Sequence, residues 1–386
     1  MISGIALGLA FGYLFPALSS DLSIIGTFFI RLLTLLIVPV IVVSMLAGIL
    51  NLDSSERLGR LGIKTILYYS CTTALAVLTG LWMVNIIDPG KTEGKTAPLQ
   101  ISSTIEQDSS NPSENHEVAE GGIKQVLHNI IPKNVVAAAS EGNVLGLIFF
   151  SVFIGIALLS IKHPGTKYIK DGIAATFEAV IWMVDKVMLI APIGVFSLVA
   201  NLVAEFVGNN TIQSLGSAIL WYTCTVLAGL FFHALITLPV CAYLFKINPF
   251  SLFKSVLPAV STAFSTASSA ATLPITIKSL EKNAGVSNRI SSFVAPLGAT
   301  VNMDGTAIYE AVAAVFIANM YGIDLTYGQQ FVIFITATFS AIGAAGIPGA
   351  GLVMMVLVLN AVNLPVEGIQ LIVIVDRLLD MLRTSI

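Results

Sequence analysis

Pro296-Leu297-Gly298-Ala299-Thr300-Val301-Asn302-Met303-Asp304-Gly305-Thr306-Ala307-Ile308-Tyr309-Glu310 lies inside a run apolar enough to cross a bilayer, yet it carries two carboxylates, an amide and two threonines. A charged side chain at the centre of a membrane helix costs about 2.5–3.5 kcal/mol on insertion scales, so such groups stand there because they have partners. The spacing resists a regular helix. Asn302, Thr306 and Glu310 fall at i, i+4 and i+8 on one face, while Asp304 points nearly opposite. Pro296, Gly298 and Gly305 are residues that let a membrane helix unwind locally. An unwound turn would gather the Asn302 and Asp304 oxygens beside freed carbonyls, a donor set for a hard cation such as sodium. The stretch reads as a transport site.

The rest of the composition agrees. Of 386 residues, 56% are hydrophobic and 11% charged, with mean hydropathy +0.90. Soluble domains average about 25% charged, so the chain is read as an integral membrane protein with the lipid bilayer as its solvent and no nucleic-acid partner. The net charge of −3 says little, because charges here matter by location. Cys71, Cys224 and Cys241 lie in apolar segments without metal-ligand spacing and are expected to be buried thiols acting as small apolar residues. Met1 to Phe15 lacks the basic start of a signal peptide and is read as the first spanning helix. His116, His128, His163 and His233 are scattered and form no cluster in the sequence.

Outward from the opening stretch, apolar runs at 2–15 and 23–50 give two helices, the second holding Pro39. A third covers 61–87. Residues 88–122 are rich in Pro, Ser, Glu, Asn and Gly and cannot bury enough apolar area to offset chain entropy, which predicts a flexible exposed loop. A weakly amphipathic segment at 123–139 and an apolar run at 144–161 follow. Long helices are expected over 172–207, with Pro192, and 214–245, with Pro239. After Phe250 the pattern changes. Residues 251–283 hold Pro258, a run of small hydroxyl residues from Ser261 to Thr272, and Pro274, which suggests two half-helices meeting at a tip. The helix of the opening stretch spans 289–320. The grammar then repeats: an apolar stretch at 328–362 has Gly343 to Gly351 at its middle, and a polar helix covers 365–386. Hairpin then polar helix, twice, is the mark of an inverted structural repeat with a site at its interface.

Basic residues set the orientation. With the start inside and both hairpins re-entering, inner loops hold Arg57, Arg60, Lys64, Lys162, Lys167, Lys170, Lys246, Lys254, Lys278, Lys282 and Arg289, against Arg31, Lys91, Lys95, Lys124 and Lys133 outside. That obeys the positive-inside rule and puts the N-terminus in the cytoplasm.

Three further features carry chemistry. Asp376, Asp380, Arg383 and Thr384 lie at i, i+4, i+7 and i+8, on one helix face. A structural ion pair between Asp380 and Arg383 is the plain alternative. Two acids and a base suit a zwitterion: guanidinium for a carboxylate, carboxylate for an ammonium. Glu310, amid Ala311 to Ala314, is either a structurally paired acid or a proton carrier, since burial disfavours a bare charge. At the Ser268-Ser269 tip, small residues permit close packing, and a half-helix N-terminus offers N–H groups to a carboxylate. Asn209-Asn210-Thr211 matches a glycosylation sequon, a pattern common by chance.

Together, Asn302-Met303-Asp304-Gly305-Thr306, the Ser268-to-Pro274 tip, the Gly343-to-Gly351 tip and Asp376…Asp380…Arg383 resemble the glutamate/aspartate transporter family, which includes excitatory amino acid transporters and bacterial and archaeal symporters; one member serves as a standard inverted-repeat example. The resemblance spans the chain. It implies an all-α membrane protein with eight transmembrane helices and two re-entrant helical hairpins, working as an elevator in a homotrimer. The scaffold would be helices one and two (1–60) and four and five (123–213). Helix three (61–87) and residues 214–386 would form the moving transport domain. It implies no enzyme but a sodium- and proton-driven symporter of acidic amino acids, in the plasma membrane, or the inner membrane of a bacterium. A C4-dicarboxylate carrier of the same fold would lack Asp380's acid, and a neutral amino acid carrier would lack Arg383.

By motif match the resemblance assigns substrate to Ser268, Ser269, Met303, Thr306, Ile347, Gly351, Asp380, Arg383 and Thr384, and proton coupling to Glu310. One sodium site would use Tyr69, Thr72, Thr73, Asn302 and Asp304, another Gly298 and Asn302, and a third backbone at Thr300, Met303, Ala341, Ile342 and Ala344. There are departures. Family members carry Asn and Asp one and two turns past Arg383, beyond Ile386, so one sodium site is expected to draw on residues outside this sequence. Ala267 and Met381 occupy the positions of a second family arginine, so Asp380 is expected to lack its salt-bridge partner. Ala270 replaces a tip serine.

Overall fold

The computed structural model describes residues 2–50, 55–91, 131–140, 143–161, 163–208, 212–344, 346 and 348–386. Most of the expected loop at 88–122, the start of the segment at 123–139, the sequon at 209–211 and Ile347 lie outside the described residues. The described residues are mostly helical, with no strand among them. Among the described residues, five helical stretches are long and apolar enough to cross a membrane, over Pro16–Leu50, Lys64–Ile87, Thr166–Gly208, Ile212–Leu244 and Asn288–Met320. The chain is a multi-pass membrane protein.

Prolines and caps cut the chain into its elements. Helix α1 (Ile2–Leu14) stops before Pro16, which opens the short α2 (Pro16–Asp21), because the residue before a proline is driven out of the helical region. α3 (Ser23–Leu50) and α4 (Ser55–Ile87) follow, then the short α5 (Val135–Ser140), α6 (Val144–Ser160) and the 43-residue α7 (Thr166–Gly208). α8 (Ile212–Phe232) runs through a π-turn at His233–Thr237 into α9 (Leu238–Leu244).

The second half is built of paired pieces. α10 (Pro249–Thr266) starts on Asn248, whose side chain accepts from the N–H groups of Phe250 and Ser251. It doubles back through Ala267 and Ser268 into α11 (Ser269–Lys282). Asn283 and Ser255 bond across the open end of these two legs. α12 (Asn288–Val301) and α13 (Asp304–Met320) are one helix broken at Asn302 and Met303. α14 (Tyr327–Gly343) starts on a capping box of Thr326 and Gln329, and α15 (Ala350–Ala361) returns beside it. α16 (Ile369–Ser385) closes the described chain.

The helices pack as two groups. α1, α2, α3, α6 and α7 lie against one another. Gly4, Gly8 and Gly12 line the α1 face toward α7, where an added Cβ would overlap the carbonyls of Pro192, Phe196 and Ala200. Membrane helices approach this closely where small residues repeat every four positions. The other group surrounds α13, which touches α4, α8, α14, α15 and α16, and whose residues from Ala307 to Phe316 are all buried. The central position of α13 puts the opening stretch at the heart of this group. One expectation fails: Cys71 and Cys224 are exposed and Cys241 half-buried. Cys71 and Cys241 line a large cavity rather than a packed core, and Cys224 is exposed on α8.

Candidate functional site

The break in α12–α13 supplies the first part of the site. Asn302 and Met303 have non-helical backbone angles, which takes the last carbonyls of α12 out of the helical ladder. Asp304 then opens α13 and is buried. From α4, Thr72 Oγ1 stands 3.1 Å from Asn302 Oδ1, and Thr73 Oγ1 donates to Asp304 Oδ1 at 2.7 Å. Tyr69 lies against Gly298, with its hydroxyl donated to the Val294 carbonyl at 3.1 Å. Two hydroxyls, an amide oxygen and a carboxylate thus converge from two elements. That is an all-oxygen set fit for a hard cation.

The second part is on α16. Arg383 Nε donates to Asp380 Oδ1 at 3.0 Å and Nη2 to Asp376 Oδ1 at 3.0 Å, so both acids hold the guanidinium. Its carbon sits 4.0 Å from the centre of the Tyr309 ring, a cation–π contact from the opening stretch. Arg383 Nη1 is buried and meets no partner with hydrogen-bond geometry among the described residues. Gly351 lies over the fork: a Cβ there would come 2.8 Å from Nη2. Asp380 also has a partner the sequence reading denied it. Arg377 Nη1 stands 3.7 Å from Asp380 Oδ2, one turn before it. Asp380 thus has an arginine on α16 itself within ion-pair distance, besides Arg383.

The two tips meet above these groups. Ser268 Oγ donates to the Gly346 carbonyl at 2.8 Å, and the Ala270 N–H to the same oxygen at 3.1 Å. The Ala271 N–H bonds Ser268 Oγ at 3.2 Å. The amides at the start of α11, expected to wait for a carboxylate, are in part taken up by the contact between tips. On the other side the Gly349 N–H donates to Asp380 Oδ2 at 2.9 Å.

A cavity of about 2080 Å³ joins these parts. Its wall includes Ser269, Met303, Thr306, Gly351, Asp380, Arg383 and Thr384, together with Tyr69, Thr72, Gly298, Asn302, Asp304 and Ala344. Ser268, Thr73, Thr300 and Ala341 are not part of that wall; Thr300 Oγ1 donates to the Leu297 carbonyl. Ala341 and Ile342 end α14, which packs on α12.

Glu310 is buried on α13 and apart from the cavity wall. Ser340 Oγ donates to its Oε1 at 3.1 Å, and Oε2 has no partner among the described residues. Glu310 is thus paired through one oxygen with Ser340, with no ion-pair partner among the described residues. His233, scattered in the sequence, is brought by its π-turn to 3.0 Å from Asp304 Oδ2. Sequence reasoning passed over His233, Arg377 and Ser340. An ionisable ring inside an apolar span was signal enough for the first, and the i, i+3 spacing from Asp380 for the second.

Oxygen donors at a broken helix and a guanidinium flanked by acids, all inside a bundle of apolar helices, define a membrane carrier for charged cargo. The chain belongs to the sodium:dicarboxylate symporter family, whose model matches residues 1–386. It is 37% identical over 405 residues to excitatory amino acid transporter 1 of Ambystoma tigrinum, covering 93% of this chain and 73% of that protein. Against an excitatory amino acid transporter of Caenorhabditis elegans the identity is 37%, covering 100% and 83%. Against the proton/sodium-glutamate symport protein of Geobacillus stearothermophilus it is 33%, covering 99% and 89%.

Proposed function

We propose that this protein imports an acidic amino acid, glutamate or aspartate, together with sodium and a proton. The observation that carries the reading is Arg383: a buried guanidinium on the cavity wall, with one nitrogen, Nη1, unpartnered among the described residues, and a carboxylate, Asp380, beside it. The substrate's side-chain carboxylate takes the guanidinium fork and its ammonium takes Asp380. Ser269, Thr306, Thr384 and the backbone near Gly351 close around it. A C4-dicarboxylate has no ammonium for Asp380, and a neutral amino acid leaves Arg383 without an anion.

Sodium binds first between Thr72, Thr73, Asn302 and Asp304, with Gly298 and Thr300, and the end of α14, offering carbonyls to further ions. Each ion offsets the carboxylate charge gathered at the site. Glu310 carries the proton: one hydroxyl and one bare oxygen suit a neutral acid better than an unpaired anion. The names of the relatives, which include excitatory amino acid and proton/sodium-glutamate carriers, agree with this cargo. In the elevator reading the group around α13 carries the site across the membrane, sliding along the faces of α3 and α7 that touch α14, α15 and α16, while α1–α3, α6 and α7 stay fixed within a homotrimer. The two folded-back pairs, α10–α11 and α14–α15, act as its gates, and the N-terminus lies in the cytoplasm.

Reconstituted vesicles test the proposal. With imposed sodium, proton and potassium gradients, labelled aspartate or glutamate should accumulate on an inward sodium gradient, and malate and serine should not. Accumulation of malate at the level of the amino acids would overturn it.

A further inference from the structure

His233 is buried in the middle of the α8–α9 helix, on a π-turn that the sequence itself explains. Pro239 has no N–H to give the Leu235 carbonyl. The ladder widens there, and the Leu238 N–H reaches back to His233. Such single-turn bulges concentrate at functional sites. Here the bulge sets Nε2 3.0 Å from Asp304 Oδ2, while Nδ1 has no hydrogen-bond partner among the described residues. The ring's one polar contact is therefore Asp304, not a wider network.

We propose that His233 is a positioning residue for the sodium-binding carboxylate of Asp304, an inference that rests on the sodium reading above. A carboxylate can only accept, so Nε2 carries the hydrogen and donates it. With Thr73 on Oδ1 and His233 on Oδ2, each oxygen has one donor and the rotamer is fixed from both sides. The remaining lone pairs stay directed at the space shared with Thr72 and Asn302. Outer partners of this kind set ion affinity through the ligand they orient.

The test is a sodium titration of the purified protein in detergent, followed by its thermal unfolding midpoint. In His233→Leu, which keeps the bulk and loses the donor, the apparent sodium affinity should fall by about 10- to 100-fold, the range for loss of an outer partner of a metal ligand. His233→Gln, which can still donate, should stay close to the unmodified protein. Binding of aspartate at saturating sodium should be the same in all three. Unchanged sodium affinity in His233→Leu, or an equal loss in His233→Gln, would overturn the inference and leave the sodium reading standing. If His233→Leu does not fold, His233→Ala takes its place in the comparison. Absence of any sodium-dependent shift in the unmodified protein would overturn the sodium reading and this inference with it.

Discussion

Asp380 Oδ2 accepts the backbone N–H of Gly349 at 2.9 Å, so the acid beside Arg383 also holds the tip that leads into α15. The same oxygen lies 3.7 Å from Arg377, and the other oxygen takes Arg383 Nε. On the proposed reading, an incoming ammonium would compete for a carboxylate that already has three donors around it. That competition links the arrival of an amino group to the freedom of the tip.

Asp380→Ser removes the acceptor for both. Uptake of aspartate and glutamate should fall far more than any residual binding of malate or succinate, which have no ammonium to place. Competition by the four compounds against a labelled substrate measures this. An equal loss for amino and dicarboxylic acids would show that Asp380 serves the tip alone.

Asp304→Asn keeps the shape of the side chain and removes the charge that offsets a desolvated cation. Thr73 and His233 can still be met by the amide oxygen, in one orientation at a time. Sodium-dependent stabilisation and sodium-driven uptake should both collapse, read by thermal unfolding with sodium against choline and by uptake at the same two conditions. Normal sodium dependence would move the ion site elsewhere.

Glu310→Gln leaves a neutral side chain that Ser340 can still reach. Net uptake should lose its pH dependence, while substrate binding, and exchange of internal for external substrate, persist. Uptake measured across the pH range in vesicles checks it. An unchanged profile would leave Glu310 with a packing role.

Much of this was legible in the sequence, and the limits have physical causes. The break at Asn302 and Met303 announces itself because polar groups, proline and glycine crowd one apolar span. The fold-back at Ala267–Ser268 follows from small hydroxyl residues between prolines, and the all-helical, membrane-spanning class follows from composition. His233 was illegible as a partner of Asp304 because the contact joins residues 71 apart. No periodicity within one helix records a contact made between helices. Ser340 is hidden from Glu310 for the same reason, at a separation of 30. Arg377 stands three residues from Asp380, a spacing that the sequence does carry, whereas the resemblance points only to positions 267 and 381. The cysteines show the converse error: an apolar neighbourhood in a membrane helix does not distinguish a packed core from a cavity wall or an exposed face.

Motion can be tested between the two helix groups. A Cβ on Gly48 of α3 would lie 3.9 Å from Val301 on α12, so the pair Gly48→Cys and Val301→Cys should crosslink in the arrangement described here. If the α13 group moves as a unit, substrate with sodium should change the crosslinked fraction, since a ligand shifts only states it binds differently. One fixed fraction with and without ligands, in a protein that still transports, would argue for gating around a stationary site.

Substrate identity rests on Arg383. The guanidinium is held by Asp376 and Asp380, each at 3.0 Å, and by the Tyr309 ring beneath it. Without those partners a buried arginine would not be tolerated. The bound carboxylate adds to this cage at the unpartnered Nη1, and removing the base leaves both the substrate anion and two acids uncompensated. Loss of one partner from a buried charge pair costs about 3–5 kcal/mol, which is roughly two to four decades of affinity at 1.4 kcal/mol per decade. Arg383→Cys should therefore abolish transport of acidic amino acids. The volume vacated beside Gly351 and Thr306 is apolar or neutral in character, and Asp380 remains to take an ammonium, so small neutral amino acids such as serine should gain access. Uptake of labelled aspartate and serine by the same vesicles reads both effects. Near-normal aspartate affinity in Arg383→Cys would remove the basis for assigning an acidic substrate at all.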